Sequence, residues 1–554
     1  MAETFPGMTV PDLSATHDVT NQVAPLIGYN AYTQDQVLCE ALAATPGAWV
    51  AQQARELGAL AGDERVQALA RDANRHVPEL RTHDAQGRRI DFIEYHPAYH
   101  ELMSLACTRG VHSLAWSAKR AGAFSARAAL FYLWSQIEQG TACPLTMTFA
   151  GIPLLHNAPG IAAEWEPKIL AHAYDARALP VSEKSGATVG MAMTEKQGGS
   201  DLRMVQTRAV AAGEDWFALT GHKWFCSAPM SDGFFTLALL EKGVTCFFVP
   251  RSLPDGSRNR FFIQRLKDKV GNCSNASAEI EYRDTLARQA GEAGRGIATI
   301  IEMTHYTRFD IVVATAGMMR AMLTQALHHA QQRSAFGKRL FEQTLMRNVL
   351  ADLALESEAA TLLAFRLTAA FDAAGNNESE RHLARILTPI AKYWHCKRIT
   401  PFAVEAMECL GGNGYVEESP MGRLYREAPV NGIWEGSGNV ICLDVLRSIG
   451  KTPEALEVLL RELDDTRDAR IARHVARVRA WLARGEELES NARRLVEAIA
   501  LAVQARLLEQ RAPAEIADAF IAARLGGEGG HVFGTLAPSA NFDAILSRSC
   551  IGIA

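Results

Sequence analysis

Met193–Thr194–Glu195–Lys196–Gln197–Gly198–Gly199–Ser200–Asp201 stands just past the place, near Ala187, where the sequence changes character. Its glycines let a backbone approach a ligand closely, and its Thr and Ser hydroxyls offer donors to phosphate or ring atoms. Alone, the string reads equally well as a polar turn. What it marks is a boundary. From there to about Asp284 the chain carries short runs rich in aromatic and β-branched residues: Arg208–Val210, Trp216–Thr220, Phe234–Leu240, Thr245–Val249 and Ala278–Tyr282. Gly213, Gly221, Gly243 and Pro250 lie between them, the punctuation expected of a compact β domain.

Working outward, residues 35–180 read mostly helical, with apolar residues at three-four spacing. Val111–Gln139 reads as one such stretch, ended by Gly140, and Pro144, Pro153, Pro159 and Pro180 punctuate the chain beyond it. Helical patterning returns at Gly294. Ile297–Arg333, Leu345–Ala374 and Arg381–Gly411 are long and amphipathic, and each suits an antiparallel member of a bundle. A further Ala-, Leu- and Arg-rich segment begins near Lys451–Pro453 and turns Gly-rich at 526–534, long enough to fold as a domain. The expected division is 1–186 helical (1–35 an extended arm), 187–290 β, 291–450 a helical bundle, and 451–554 a C-terminal helical extension. The fold class is mainly α with a central β domain.

At 554 residues the chain is too long for one core. Hydrophobic residues at 48% and charged residues at 21% are ordinary for a soluble globular protein. A formal net charge of -5 argues against a chain that binds nucleic acid over its whole surface, so charge has to be followed segment by segment. No apolar run approaches the ~18–20 residues that span a bilayer. Met1–Ala15 lacks the basic start and apolar core of a signal peptide, so a cytoplasmic protein is expected. The ten cysteines are scattered singly, and Cys246 and Cys442 fall in apolar runs, as buried thiols do. His96 and His100 have Pro97 between them and no evident third ligand, so no metal site is expected.

Further strings occur in order: Gly221–His222–Lys223–Trp224–Phe225–Cys226–Ser227, Lys269–Val270–Gly271, Arg333–Ser334–Ala335–Phe336–Gly337, Leu410–Gly411–Gly412–Asn413–Gly414–Tyr415, and Ile433–Trp434–Glu435–Gly436–Ser437–Gly438–Asn439. As a set, over roughly residues 90–450, they resemble the acyl-CoA dehydrogenase family. The resemblance implies an N-terminal helical domain, a middle β-barrel domain and a C-terminal four-helix bundle, with FAD between barrel and bundle. It places Met193, Thr194, Gly199 and Ser200 against the flavin and pyrophosphate. Phe225 stands where the family has a Trp packed on the isoalloxazine, and Ser227 at the hydroxyl near flavin N5. Ile433, Ser437, Gly438 and Asn439 also match FAD-contacting positions. Arg333, Phe336, Gly411 and Gly412 match positions that reach the FAD of a neighbouring subunit, which implies a homotetramer.

Glu435 matches the family's usual catalytic base, the carboxylate that removes an α-proton beside a thioester carbonyl while hydride leaves the β-carbon. Burial beside the flavin would raise its pKa towards the working range. The alternative base position of some members holds Thr307, so Glu435 has no evident rival. Retention of Glu435 as a flavin-pocket residue without turnover stands beside the catalytic reading.

The chain departs from the common pattern at several points. Lys196–Gln197–Gly198 replaces the usual spacer, Thr344 stands in place of a cofactor-contacting Gln (Gln343 is one place early), and Cys273 replaces an Arg. His83–Arg89, Met193–Asp201, Arg265–Asn275 and the extension beyond Lys451 resemble an AidB-like branch of the family, the bacterial flavoproteins of the adaptive response to DNA alkylation. That resemblance implies FAD, a tetramer, double-stranded DNA bound through the C-terminal domain, and at most weak dehydrogenase activity towards an isovaleryl-CoA-like substrate. The tail carries a matching feature. After Asp468 an acid-free run holds Arg470, Arg473, Arg477 and Arg484 near one helical face. Such a stripe suits phosphates and sequence-tolerant binding, and Arg493, Arg494 and Arg524 would extend it; a solvated helix face is the plainer alternative. Three functions therefore compete: a DNA-associated flavoprotein that shields DNA or inactivates alkylating small molecules, a conventional short- or branched-chain acyl-CoA dehydrogenase with an accessory domain, and a flavin oxidase or monooxygenase on the same scaffold. Glu435 weakens the third, since nitroalkane oxidases place an Asp there.

Overall fold

The computed structural model describes residues 16–17, 19–485, 487–550 and 552; Met1–Ala15, where no leader was expected, lie outside them. The N-terminal part is helical with two departures from the sequence pattern. Val111–Gln139 is not one helix: the chain turns through 118–122 before the helix Ala123–Ile137. Gly122 makes that turn at φ 78, and a Cβ there would lie 2.1 Å from the backbone nitrogen of Gly47, so a side chain is excluded twice over. Residues 79–94 form an antiparallel hairpin, Glu79–His83 with Arg89–Glu94, whose charged and largely exposed residues lack the apolar alternation by which a strand is recognised.

Seven strands make the central sheet. Gly233–Leu240 pairs with Gly243–Pro250, which pairs with Ser277–Gln289, then Trp216–Ser227, then Arg208–Ala211, which returns to Gly233–Leu240 through the Arg208–Leu239 bridge. The ring closes into a barrel, and Val189–Ala192 and Phe261–Leu266 flank it. Trp216–Ser227 joins the expected run Trp216–Thr220 and the aromatic string Gly221–Ser227, itself expected as a strand, into one strand. An irregularity between Lys223 and Cys226 lets Lys223 point into the barrel while Phe225 turns outward, 48% exposed.

The bundle comprises Gly296–Gln332, Thr344–Ala373, Glu378–Glu408 and Gly438–Lys451. A buried ion pair, Arg127 with Asp310, ties Ala123–Ile137 to the first of these helices. The C-terminal segment folds as Pro453–Asp464, Ala469–Arg484, Ala492–Arg511, Ala514–Arg524 and Phe542–Ser549, with Ala492–Arg511 laid across three of the bundle helices. Polar contacts lock it down. Trp394 Nε1 donates to Gln504 at 2.8 Å, Arg366 bridges Glu380 and Glu462, and Arg548 bridges Glu358 and Glu40. Among the described residues no helix is long and apolar enough to cross a membrane. His96 caps its own helix and His100 bonds the Tyr174 hydroxyl.

Candidate functional site

The Met193–Asp201 loop is organised by a carboxylate rather than by its glycines alone. Glu195 is buried, and it accepts hydrogen bonds from Lys223 Nζ (2.7 Å), Thr207 Oγ1 (2.6 Å), the Thr207 and Gln206 amides and Gln197 Nε2. Burial works to raise its pKa, but the Lys223 ammonium and these donors bring it down to about 2. The loop is then stitched to the barrel strand by Trp224 N donating to Thr194 O at 2.7 Å. A Cβ at Gly199 would lie 2.6 Å from Thr194 Oγ1, so glycine is required there. Thr194 and Gly199 are thus held beside the Trp224–Phe225 part of the barrel strand, Met193 packs on the core, and Ser200 is exposed. Ser227 lies 3.4 Å from Ser277 Oγ, which accepts from Lys269 Nζ.

The Lys269–Asn275 loop carries the barrel onto the bundle. Asn272 N donates to the buried Glu427 at 2.6 Å, and a Cβ at Gly271 would lie 2.1 Å from Arg426 O. A few residues further on is the Ile433–Asn439 segment. Glu435 adopts φ +57 and Gly436 φ +106. Arg308 Nε donates to Glu435 O at 2.8 Å while its Nη1 meets Asp444 at 2.7 Å. Lys392 Nζ donates to Trp434 O at 3.0 Å and Gly436 O at 2.6 Å. Glu435 Oε2 is sealed from solvent and has no hydrogen-bond partner among the described residues. Burial raises this carboxyl above the usual range, and the Thr307 hydroxyl and the Arg308 and Lys392 charges offset part of the rise. Ile433 lies beside it, 67% exposed.

Arg333 and Phe336 are placed elsewhere. From Arg308 to Arg333 the helix and its exit advance roughly 37 Å at 1.5 Å per residue. Phe336 and Gly337 form the two-residue turn of the hairpin Ser334–Ala335/Lys338–Arg339, with φ 53 and 79, and Phe336 is 99% exposed at its tip. Arg333 Nη1 donates to the Asn21 carbonyl, an arm contact that the sequence did not announce. Gly411 and Gly412 are exposed, and an added Cβ at either would meet open space.

In the tail, Asp468 caps Ala469–Arg484, whose buried face is Ile471, His474, Val475 and Val478. Arg473, Arg477 and Arg484 are exposed. Arg477 Nη2 donates to His474 Nδ1 at 2.7 Å, and the Arg477 and Arg494 guanidiniums lie 5.6 and 4.5 Å from the Trp481 ring. Arg493 Nε bonds Asn439 at 2.8 Å, so the tail touches the Ile433–Asn439 segment. Arg470 is already engaged by Asp468 and Asp518. Arg524 does not extend the patch: it is 12% exposed and held by Asp352 and Glu356 in the bundle. Its sequence position faces outward only if Ala514–Arg524 stands alone, and that helix is instead docked.

Comparison with known proteins agrees with this architecture. Residues 21–176 match the adaptive response protein AidB N-terminal domain, 190–285 the acyl-CoA dehydrogenase middle domain, and 294–450 the acyl-CoA dehydrogenase C-terminal domain. AidB of Escherichia coli (strain K12) is 48% identical over 446 residues, 80% of this chain and 82% of that protein. The chain belongs to the acyl-CoA dehydrogenase family. Within that family its resemblance is to the AidB branch. The crystal structure of Caenorhabditis elegans ACDH-11 in complex with C11-CoA superposes with a TM-score of 0.83 at 24% identity, covering 98% of this chain and 95% of the other. An acyl-CoA dehydrogenase from Bacillus anthracis complexed with FAD superposes at 0.60 and 18% identity, over 82% of each chain. FAD is the cofactor of the family.

Four residues that shape the site escaped the sequence reading: Lys223, Arg308, Lys392 and Trp481. Lys392 carried a signal, a single cation inside the apolar run Leu387–Cys396. The others carry no local signal that sets them apart from their neighbours.

Proposed function

We propose that this chain holds FAD between barrel and bundle, carries the α-proton base of acyl-CoA dehydrogenation on Glu435, and binds duplex DNA on its C-terminal arginine face, limiting alkylation damage there. The observation that carries the DNA reading is Trp481 flanked by Arg477 and Arg494, with Arg473 and Arg484 exposed on the neighbouring turns. Exposed guanidiniums beside an aromatic ring suit a phosphate backbone and give no base readout, so binding is sequence-tolerant.

The residues present fit the cofactor. Phe225 and Ile433 offer apolar faces, Thr194 and Ser227 offer hydroxyls, and Glu435 Oε2 is a sealed oxygen with no protein partner among the described residues. When bound, FAD supplies the acceptor for the hydride leaving the β-carbon. Glu435 takes the α-proton, a task suited to a carboxyl whose pKa burial has raised. The roughly 37 Å between Arg308 and Arg333 supports Arg333 and Phe336 completing the site of a second subunit, as in a homotetramer.

The test is a duplex-DNA mobility shift at low salt. Arg473→Ala/Arg477→Ala/Arg494→Ala is expected to abolish it while FAD content stays unchanged; an unchanged shift would remove the DNA assignment. A conventional acyl-CoA dehydrogenase with an accessory domain is the second reading, favoured by the bare Glu435 oxygen. Rapid flavin bleaching by isovaleryl-CoA, lost in Glu435→Gln, would promote it over the first. Sedimentation of the FAD-loaded protein tests the tetramer.

A further inference from the structure

Glu435 has a positive φ, and an L residue stays in that region only where its surroundings hold it. The holding groups are on the two helices behind it. Lys392, on Glu378–Glu408, is 1% exposed. Its ammonium has three donors and no acceptor. One donor goes to Trp434 O at 3.0 Å and another to Gly436 O at 2.6 Å, the carbonyls on either side of Glu435. Arg308 takes the carbonyl between them, at 2.8 Å. Three successive carbonyls are therefore fixed by two cations. Arg308 has Asp444 as its counter-charge. Lys392 enters no ion pair among the described residues, and the carboxylate whose field reaches it is Glu435. A buried ammonium is costly unless its donors are used. A leucine would fill the same helical position among Ile390, Ala391 and Tyr393 more cheaply, so packing alone does not account for a lysine there.

We propose that Lys392 is a positioning residue for the α-proton base: by bridging the Trp434 and Gly436 carbonyls it holds Glu435 in the left-handed turn that sets the direction of its carboxyl. This rests on Glu435 being the base. In that step the α-carbon–hydrogen bond breaks, the electron pair stays on the α-carbon and its carbonyl, and the proton goes to Glu435. In deuterated water a deuteron returns, so the step is visible without any oxidation.

The experiment uses the FAD-loaded protein with Lys392→Met, Lys392→Gln, Lys392→Arg and Glu435→Gln. In crystals of Lys392→Met, Glu435 is expected to leave the left-handed region, and in Lys392→Arg to keep it. An unmoved Glu435 in Lys392→Met would overturn the proposal. Exchange of the α-hydrogens of isovaleryl-CoA, followed by NMR in deuterated water and expressed per bound FAD, is expected to slow by at least about tenfold in Lys392→Met and to recover to within about threefold in Lys392→Arg. Equal rates in Lys392→Met and the wild type would also overturn it. Should the methionine variant not fold, Lys392→Gln, with one amide to span two carbonyls, replaces it in both measurements. If the wild type exchanges no faster than Glu435→Gln, the base reading fails, and the crystal structures decide Lys392 by themselves.

Discussion

Replacing Lys223 by methionine removes the cation on which the Met193–Asp201 loop depends. Both partners of the Lys223–Glu195 pair are almost wholly buried. Depression of Glu195 from 4.5 to about 2 corresponds to roughly 3 kcal/mol in favour of the folded state at neutral pH, at 1.36 kcal/mol per pH unit. For a carboxylate lowered in this way, that stability is fully present above pH 4.5 and is lost as pH falls towards 2. Burial lowers Lys223 from 10.5 to about 8 even beside Glu195, so the desolvation of the ammonium opposes that gain. The pair itself therefore adds little stability, while breaking it is costly. Lys223→Met strands a buried carboxylate and should destabilise by ~3–5 kcal/mol at pH 7. The deficit should shrink as acid protonates Glu195. The double variant Lys223→Met/Glu195→Leu should regain most of the stability. It should not regain cofactor affinity, because the Gln206 and Thr207 amides and Gln197 lose the acceptor that shapes the loop. The assay is urea unfolding of the FAD-loaded protein, followed by tryptophan fluorescence and flavin release between pH 4 and 8 (a range set by the pKa values above). Additive single and double variants, or a deficit independent of pH, would refute the reasoning.

Other expectations come from the same geometry. Arg477→Ala and Arg494→Ala should each lower the slope of log affinity against log salt for duplex DNA by about 0.9 if each meets one phosphate, measured by fluorescence anisotropy at several salt concentrations. Arg524→Ala should leave that slope unchanged and instead lower the melting temperature, because it removes the cation from the buried Asp352 and leaves Glu356 to Arg398 alone. Burial, and then the Glu138 charge, push Glu427 up to about 7. A carboxyl raised in the folded state gives stability below pH 4.5 that is lost as pH rises through 7, so Glu427→Gln should flatten the fall in stability over that window in thermal scans. Gly271→Ala should loosen the barrel from the bundle, since its Cβ would meet the Arg426 carbonyl at 2.1 Å, and flavin release should speed up.

What the sequence disclosed divides along physical lines. Three of the four bundle helices begin and end within three residues of where their apolar spacing and flanking glycines put them, because a long amphipathic stripe is a local record of burial. Ser277–Gln289 runs further than expected: its outer half owes its extended form to pairing with Trp216–Ser227, a partner that no local pattern names. The candidate-site strings stood out through a family resemblance, but the forces that shape them did not. Glu195 and Lys223 lie 28 residues apart and meet only when the barrel closes. Arg524 reaches carboxylates 172 and 168 residues away. The arginines of the tail show the consequence most sharply. By charge and helical phase Arg470, Arg473, Arg477 and Arg484 are equivalent, and Arg524 was expected to extend their patch; in the folded chain Arg524 is a largely buried strut, Arg470 is neutralised by two aspartates, and the remaining three face solvent. Arg494, outside that stripe, stands next to Arg477 across Trp481, while Arg493 reaches Asn439 of the bundle. An arginine offered to an anion is thus distinguished from one spent on the fold by where the acids of other helices fall, and that is a property of packing. The same packing puts Arg493 in hydrogen-bond contact with Asn439, so a change at the exposed arginine face has a direct hydrogen-bonded route to the Ile433–Asn439 segment.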